Sequence, residues 1–106
     1  MLTNKVYGLL GICMKAGKIA CGTDSTMDML GKRKIKLIIV AKDSSQRTIR
    51  HFEEKCEEYN IPFYIFGSKE EISNAIGKDN KTVIGIKDKN LADAIKKILD
   101  GGDVIG

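Results

Sequence analysis

The amino-acid sequence predicts an α/β protein, a three-layer α-β-α sandwich built on a small mixed sheet of about four strands. Short apolar runs alternate along the chain with helical patterns of about ten residues or more. The 106 residues are 42% apolar, which suffices for one core, and the sequence contains no internal repeat. We therefore expect one domain over residues 1–100 and a frayed tail at residues 101–106.

The first helix is predicted from apolar residues that recur at three- and four-residue spacing, a pattern that stops at Gly17, where a helix end is expected. These residues are Val6, Leu9, Leu10, Cys13 and Met14. The following residues, 19–21, leave two options open. They form either an irregular connection or a short edge strand that runs straight into the next helix.

The second helix is expected to begin at Thr23, whose hydroxyl is a suitable N-cap, and to give way near Gly31 to a basic run. Its inward-facing residues are Met27 and Leu30. Residues 37–42 then form a nearly continuous apolar run, which indicates a central strand that is covered on both faces.

The third helix is expected to begin with Ser45 as its N-cap and to end at Asn60. Its inward stripe consists of Ile49, Phe52, Cys56 and Tyr59. Two further strands are predicted at residues 62–66 and 82–86, one on each side of a short helix.

That short fourth helix is predicted because Ser68 and Glu71 have the spacing of a capping box and Gly77 suits a helix C-terminus. Its apolar residues are Ile72, Ala75 and Ile76. The last helix has two candidate caps, Asp88 and Asn90. Its expected buried residues are Leu91, Ala94, Ile95, Ile98 and Leu99.

Charge is unevenly distributed along the chain. The net charge of +4 by itself indicates only a modest attraction to polyanions. Basic residues are concentrated in the first third, where Asp24 and Asp28 are the only acids. These basic residues include Lys15, Lys18, Lys32, Arg33, Lys34 and Lys36. Because the densest acidic cluster comes later, at residues 53–58, we expect an electrically lopsided molecule.

The three cysteines predict neither disulfides nor a metal site, because they form no Cys-x-x-Cys pair and the chain has one histidine, His51. No cofactor is expected. With no leader or membrane-spanning run expected, the predicted location is the cytoplasm. Cys13 and Cys56 lie on the inward-facing sides of the first and third helices, so they are expected to pack in the core. Cys21 lies at a helix start, so a reactive thiol there remains an open alternative. His51 is expected on a charged helix side, so we predict no enzyme.

Residues 17–24 form a short, basic turn bracketed by glycines and leading into the second helix. A helix start offers unpaired backbone N–H groups and the positive end of the helix dipole to an anion. Lys15 and Lys18 are close in sequence, and the basic run at residues 32–36 follows at the other end of the helix. That run is either a solvated connection or a further set of phosphate contacts. The pattern predicts a binding site for a phosphate backbone.

Several short motifs occur in order along the chain. They are Gly17-Lys18-Ile19 with Gly22-Thr23, Lys36-Leu37-Ile38-Ile39-Val40-Ala41-Lys42-Asp43, Cys56-Glu57-Glu58 with Ile61-Pro62, and Ala75-Ile76-Gly77. Through them the chain, from about residue 4 to residue 99, resembles the kink-turn RNA-binding ribosomal protein family of archaeal seven-Ae, eukaryotic thirty-e and bacterial YlxQ-type proteins. The resemblance implies an α-β-α sandwich. It also implies RNA binding through the turn before the second helix, the first turns of that helix and the loop after the fourth helix.

The chain departs from the family pattern within that turn. Family members typically have Asn-Glu after the Gly-Thr pair and a lysine three residues after the Glu, and here these positions are Asp24, Ser25 and Asp28. An aspartate offers no N–H donor and repels phosphate, so affinity for kink-turn RNA should suffer. Asp24 is left either to accept from a base amine or to cap the helix. The far loop, residues 78–81, is polar where the family often has apolar residues.

We therefore predict a non-catalytic, monomeric, ribosome-associated protein that binds kink-turn-like structured RNA and no membrane. The expected RNA-binding residues are Lys18, Gly22, Thr23, Asp24, Ser25, Lys32, Arg33 and Lys36. The alternative is a protein-interaction adaptor on the same fold whose RNA binding is weakened or lost.

Overall fold

The computed structural model describes residues 2–101, and side-chain surroundings from Asn4 onward. Its elements are α1 (Leu2–Lys15), β1 (Ile19–Cys21), α2 (Thr23–Gly31), β2 (Leu37–Val40), α3 (Gln46–Tyr59), β3 (Phe63–Ile65), α4 (Lys69–Ile76), β4 (Val83–Ile86) and α5 (Lys89–Leu99). The short edge strand that the sequence left open is therefore present as β1. Of the tail expected at residues 101–106, all but Gly101 lies outside the described residues.

The four strands form one mixed sheet in the order β1-β4-β2-β3. β4 is antiparallel to both of its neighbours, and β2 is parallel to β3. β2 is therefore a central strand, and all four of its residues are buried, as its continuous apolar run predicted. The insertion of β4 between β1 and β2 determines which loops meet at each end of the sheet.

Helices cover both faces of the sheet, which confirms the three-layer α-β-α fold. Because strand side chains alternate between faces, Leu37 and Ile39 of β2 pack toward α1, α4 and α5, whereas Ile38 and Val40 pack toward α2 and α3. Gly85 of β4 has no side chain, which allows α2 and the loop that contains Ile35 to pack closely against the sheet. A Cβ at that position would lie 2.7 Å from Cδ1 of Ile35 and 3.1 Å from Cγ2 of Thr26.

Most helix ends are formed by the residues that the sequence indicated. The side chain of Ser45 accepts a hydrogen bond from the Thr48 amide at the start of α3. Ser68 and Glu71 form both halves of a capping box at α4, and the Asp88 carboxylate caps α5. Asn60 and Gly77 end their helices in the left-handed conformation.

Two expectations for helical residues were wrong. Thr23 is not an N-cap, because Gly22 occupies the cap position and Thr23 is the first helical residue. In α5, Ala92 is buried and Ala94 is only half-buried. Ala92 lies three residues before the buried Ile95, so it shares the inward face, whereas Ala94 is at the edge of that face.

Among residues 2–101, no helix is both long enough and apolar enough to cross a membrane.

Candidate nucleic-acid interface

The turn between β1 and α2 depends on a glycine conformation. Gly22 has φ 96° and ψ 167°, a combination that is essentially restricted to glycine. Its N–H donates to the Val83 carbonyl at 2.7 Å, and its carbonyl accepts from the Thr26 N–H at 3.1 Å. Gly22 therefore orients the helix start, but its own N–H is already bonded to β4 and is not one of the unpaired N–H groups expected at this helix start.

The free amides of this turn lie one residue further along the chain. The first intrahelical bond of α2 is donated by Thr26, so helix geometry leaves the N–H groups of Thr23, Asp24 and Ser25 without intrahelical acceptors. No side chain caps the helix, so of the two roles left open for Asp24 the structure does not show the cap. These three residues are exposed, and their amides lie at the positive end of the helix dipole. This is the geometry of an anion-binding helix start.

Lys81 brings a cation to the same turn from the loop between α4 and β4. Its Cδ and Nζ lie 3.5 Å from the position that a Cβ would take on Gly22. The backbone of Lys81 is held by the buried hydroxyl of Ser73, which accepts from the Lys81 N–H at 2.9 Å and donates to the Lys81 carbonyl at 3.2 Å. Ser73 is 5% exposed, so the loop is anchored in the interior.

Cys21, next to the turn, has the environment of a packed rather than a reactive thiol. It is half-buried, and burial raises the pKa of its thiol, an effect that the charges of Lys78, Lys81 and Lys87 oppose. Its Sγ lies 3.9 Å from the sulfur of Met14. The thiol is therefore protonated at neutral pH, which argues against the nucleophilic role that its position at a helix start left open.

An open groove of about 440 Å³ runs beside the turn, between α2 and α3. Its lining residues are Thr23, Asp24, Met27, Arg47, Thr48, His51 and Phe52. His51 is exposed, as expected, and its ring meets the edge of Phe52 with centroids 5.3 Å apart. Arg47 was missed by the sequence reasoning, since nothing in its local pattern relates it to α2. No cysteine lies among the lining residues described, so the groove does not pair His51 with a thiol.

The structure does not bring all of the predicted RNA-binding residues together. Lys18 and Gly22 flank β1 on opposite sides, about 13 Å apart along the strand. Lys32 and Arg33 follow the C-terminal end of α2, about 13 Å from its start. Lys36 precedes β2 and lies at the Lys18 end of the sheet, because its N–H donates to the Ile86 carbonyl.

The turn therefore gathers four of the predicted residues and Lys81. The four are Gly22, Thr23, Asp24 and Ser25. Lys18, Lys32, Arg33 and Lys36 lie at the other end of the sheet and of α2.

Asp28 is part of an ion pair on the surface of α2. Its carboxylate lies 3.2 Å from Nζ of Lys32, and both side chains are more than half exposed. The pair cancels one acid against one base but contributes little to stability at this exposure. Among residues 2–101, no group of three or more His, Cys, Asp or Glu side chains is arranged to hold a metal ion.

The sequence matches a known protein family over most of its length. Residues 4–96 match the family described as ribosomal protein L7Ae/L30e/S12e/Gadd45. The chain belongs to this family. Membership of the L7Ae/L30e/S12e/Gadd45 family confirms the resemblance drawn from the short motifs.

Two similar relatives are bacterial proteins. The chain is 34% identical over 98 residues to the RNA-binding protein YlxQ of Enterococcus faecium, an alignment that covers 92% of this chain and 94% of that protein. It is 27% identical over 94 residues to the RNA-binding protein YlxQ of Bacillus subtilis strain 168, with 89% and 94% covered.

Two solved structures share this fold over at least nine-tenths of the chain. A Bacillus halodurans protein of unknown function superposes with a TM-score of 0.87 at 27% identity, covering 91% of this chain and 97% of that one. A 15.5 kD RNA-binding protein of Giardia lamblia superposes with a TM-score of 0.80 at 19% identity, covering 99% and 90%. At that identity the second likeness shows the fold alone.

Proposed function

We propose that this chain is a non-catalytic, cytoplasmic RNA-binding protein, monomeric and associated with the ribosome, that recognises kink-turn-like structured RNA. The binding surface is the start of α2 together with the α4–β4 loop. One observation carries the proposal: Nζ of Lys81 lies beside Gly22, next to the unbonded amides of Thr23, Asp24 and Ser25. The YlxQ relatives in two bacteria, which are named RNA-binding proteins, support the same function.

The chemistry of the surface suits a phosphate backbone. Helix-start amides bind phosphate oxygens through directed hydrogen bonds, and an ammonium group next to them adds a charge-assisted contact. Because Gly22 orients the helix start and Ser73 anchors Lys81, the donors are held in place before RNA arrives. A pre-organised set of donors loses less entropy on binding than a flexible basic tail does.

The groove between α2 and α3 supplies the second part of the surface. Arg47 and His51 lie across it from Thr23 and Asp24. A folded RNA with an internal bend presents unstacked bases as well as phosphates, and arginine or histidine side chains can stack on such bases. Asp24 and Ser25 are the residues placed to meet base edges, with Asp24 limited to accepting hydrogen bonds.

The adaptor alternative needs an open apolar patch for a partner protein. Among the described side chains, the large apolar residues that are exposed are Ile12 and Ile65, at 52% and 47%. They lie on different elements, α1 and β3, and single exposed apolar residues of this kind are ordinary on soluble proteins. No observation therefore favours the adaptor over the RNA-binding protein.

The proposal is tested by comparing a kink-turn RNA with the same RNA after its G·A pairs are replaced by Watson–Crick pairs. Fluorescence anisotropy should show tighter binding of the kinked RNA. Lys81→Glu should weaken that binding roughly tenfold or more, since it removes a contact to a charged group. Lys5→Glu, an equal charge change at an exposed position of α1, is the control. Equal affinity for both RNAs, or equal effects of the two substitutions, would overturn the proposal.

A further inference from the structure

Three lysines from three neighbouring strands meet at the end of the sheet that lies away from the α2 start. The register pairs Ile19 of β1 and Leu37 of β2 with Ile86 of β4. Lys18, Lys87 and Lys36 are the next residues beyond this row. The Lys87 N–H donates to the Lys18 carbonyl at 2.8 Å, and the Lys36 N–H donates to the Ile86 carbonyl at 2.7 Å.

Further basic residues extend this row on both sides. Lys15 ends α1, and the chain from there is tied to the sheet end because the Lys18 N–H donates to the Cys13 carbonyl at 2.8 Å. The loop after α2 is held there by Ile35, which is buried against Gly85. We call the whole set the cationic end. Its members are Lys15, Lys18, Lys32, Arg33, Lys34, Lys36 and Lys87.

Acidic groups compensate the cationic end only in part. Asp28 forms an ion pair with Lys32. Asp88, the residue after Lys87, uses its carboxylate to accept a hydrogen bond from the Leu91 N–H as the cap of α5. On the β3 side the border is α3, where the Arg33 guanidinium lies 5.2 Å from the Tyr59 ring centroid. Within residues 2–101, no salt bridge joins Lys15, Lys18, Lys34, Lys36 or Lys87 to an acid.

Such an arrangement costs stability unless an anion is bound. Neighbouring strands are about 4.8 Å apart, and like charges on adjacent strands repel one another. A polyanion laid across β1, β4 and β2 would neutralise the row of lysines and release its own counterions.

We propose that the cationic end is a second RNA-binding surface, which binds the phosphate backbone of a double-helical segment. The surface is separate from the α2 start, since β1 and α2 each keep the two about 13 Å apart. The protein then contacts RNA at both ends of its sheet and can join a bent element to a neighbouring helix or to a second RNA.

The chemistry favours RNA over a membrane. The cationic end consists of ammonium and guanidinium groups on rigid strand ends and short loops, which suits a regular array of phosphates. From Asn4 onward, the one large exposed apolar residue of α1 is Ile12, and membrane-surface binding requires an extended apolar face rather than a single side chain. The shape-based recognition of RNA duplexes through their backbone needs no base-reading groups.

The test measures binding of a straight, fully paired RNA duplex by fluorescence anisotropy at two or more salt concentrations. The double variant Lys18→Glu/Lys36→Glu should bind the duplex at least roughly tenfold more weakly. The neutral pair Lys18→Gln/Lys36→Gln should lower the slope of log affinity against log salt by about two. The single variant Lys36→Glu should weaken duplex binding several-fold, whereas Lys5→Glu, the same charge change at an exposed position of α1, should leave it within about twofold.

A second measurement is independent of RNA. Because the two carboxylates introduced by Lys18→Glu/Lys36→Glu flank Lys87, this variant without RNA should gain thermal stability at low salt, and added salt should remove the gain. A loss of Tm in both double variants, with unchanged duplex affinity, would show that the lysines serve the fold and would overturn the proposal.

The remaining outcomes separate this inference from the proposed function. Kink-turn RNA failing to bind, with duplex binding that still depends on Lys18 and Lys36, would refute the first proposal alone. Normal kink-turn binding, with a duplex affinity that falls as much in Lys5→Glu as in the Lys18→Glu/Lys36→Glu variant, would refute the second proposal alone. Lysine-dependent binding to vesicles of anionic phospholipid, without duplex binding, would assign the cationic end to a membrane and overturn the RNA proposal.

Discussion

Nζ of Lys81 lies 3.5 Å from the position that a Cβ would take on Gly22. The contact joins two loops that are far apart in sequence, the β1–α2 turn and the α4–β4 loop. It coincides with the hydrogen bond from the Gly22 N–H to the Val83 carbonyl. The proposed RNA surface therefore depends on the pairing of β1 with β4, and changes to either loop should alter it.

Gly22→Ala should destabilise the protein and weaken kink-turn RNA binding. The space is adequate, since only the flexible Lys81 side chain lies near the new Cβ, at ordinary contact distance. The penalty comes from the backbone, because φ 96° with ψ 167° is strained for alanine by about 1–3 kcal/mol. Urea unfolding measures the stability loss, and anisotropy measures the RNA affinity.

Gly8→Ala is the matched control for this substitution. Gly8 lies inside α1 and is exposed, and a Cβ added there would have no heavy atom within 4 Å. The helix propensity of alanine should stabilise this variant by up to about 1 kcal/mol and leave RNA binding unchanged. If Gly22→Ala were as stable as Gly8→Ala, the turn geometry described for Gly22 would be wrong.

Ser73→Ala should reduce RNA affinity although Ser73 is buried beneath the surface. The substitution removes the partner of both the N–H and the carbonyl of Lys81, which costs about 1–3 kcal/mol and frees the loop. A double-mutant cycle with Lys81→Gln measures the coupling between the two residues through RNA binding. Additive effects on affinity would show that Ser73 does not position Lys81.

The local signals in the sequence predicted the helix ends well. The clearest of these signals are Ser45, the Ser68–Glu71 pair and Gly77. Each of them forms a helix end within a few residues of itself, so the local sequence is enough to predict that end. The position of Lys18 and Lys36 could not be read in this way. Lys18 lies in the turn segment and Lys36 in the basic run after α2, yet both lie at the same end of the sheet because β4 is inserted between β1 and β2 and is antiparallel to both. The contact of Lys81 with Gly22 depends on the same long-range pairing.

Asp28→Lys should strengthen binding to kink-turn RNA more than binding to a straight duplex. The change restores a lysine at the position where the family typically has one and removes a carboxylate that repels phosphate. It also breaks the exposed pair with Lys32, at a stability cost below about 1 kcal/mol. Anisotropy with both RNAs gives the selectivity.

Asp93→Lys on α5 is the control for that charge change. Asp93 forms an exposed pair with Lys89 at the same 3.2 Å distance and the same four-residue spacing. The control should raise the affinity for both RNAs slightly and equally, since it adds charge away from α2. Unaltered kink-turn affinity in Asp28→Lys would mean that helix α2 is not aligned on RNA as proposed.

Thr26→Val should stabilise the protein by about 1 kcal/mol. The Thr26 hydroxyl is fully buried between α2 and β4 and has no hydrogen-bond partner among the described residues. Valine has nearly the same shape and removes the cost of a buried, unsatisfied polar group. Thr48→Val on α3 is a control in which a hydrogen bond with Ser45 is lost instead. A destabilised Thr26→Val variant would show that the hydroxyl is satisfied in solution.

The protein should lose stability as the pH rises above about 9, because buried thiols and phenols must ionise on unfolding. Burial raises the pKa of Cys13 to about 11 and of Cys56 to about 12. Burial, reinforced by Glu71, raises the pKa of Tyr7 to about 12. Because these pKa values are higher in the folded than in the unfolded chain, the contribution of these groups to stability is complete below their unfolded pKa values. Those values are 9.0 for cysteine and 10.0 for tyrosine. The contribution is then lost as the pH approaches the folded values.

Urea unfolding between pH 7 and pH 11 measures this loss directly. The free energy of unfolding should be nearly constant to pH 8 and then fall, by on the order of 1 kcal/mol per pH unit for each thiol that ionises only when unfolded. Cys56→Ala lowers stability at every pH by leaving a cavity, but it should also make the alkaline slope shallower. The same slope in both proteins would show that the Cys56 thiol ionises as readily in the folded chain as in the unfolded one.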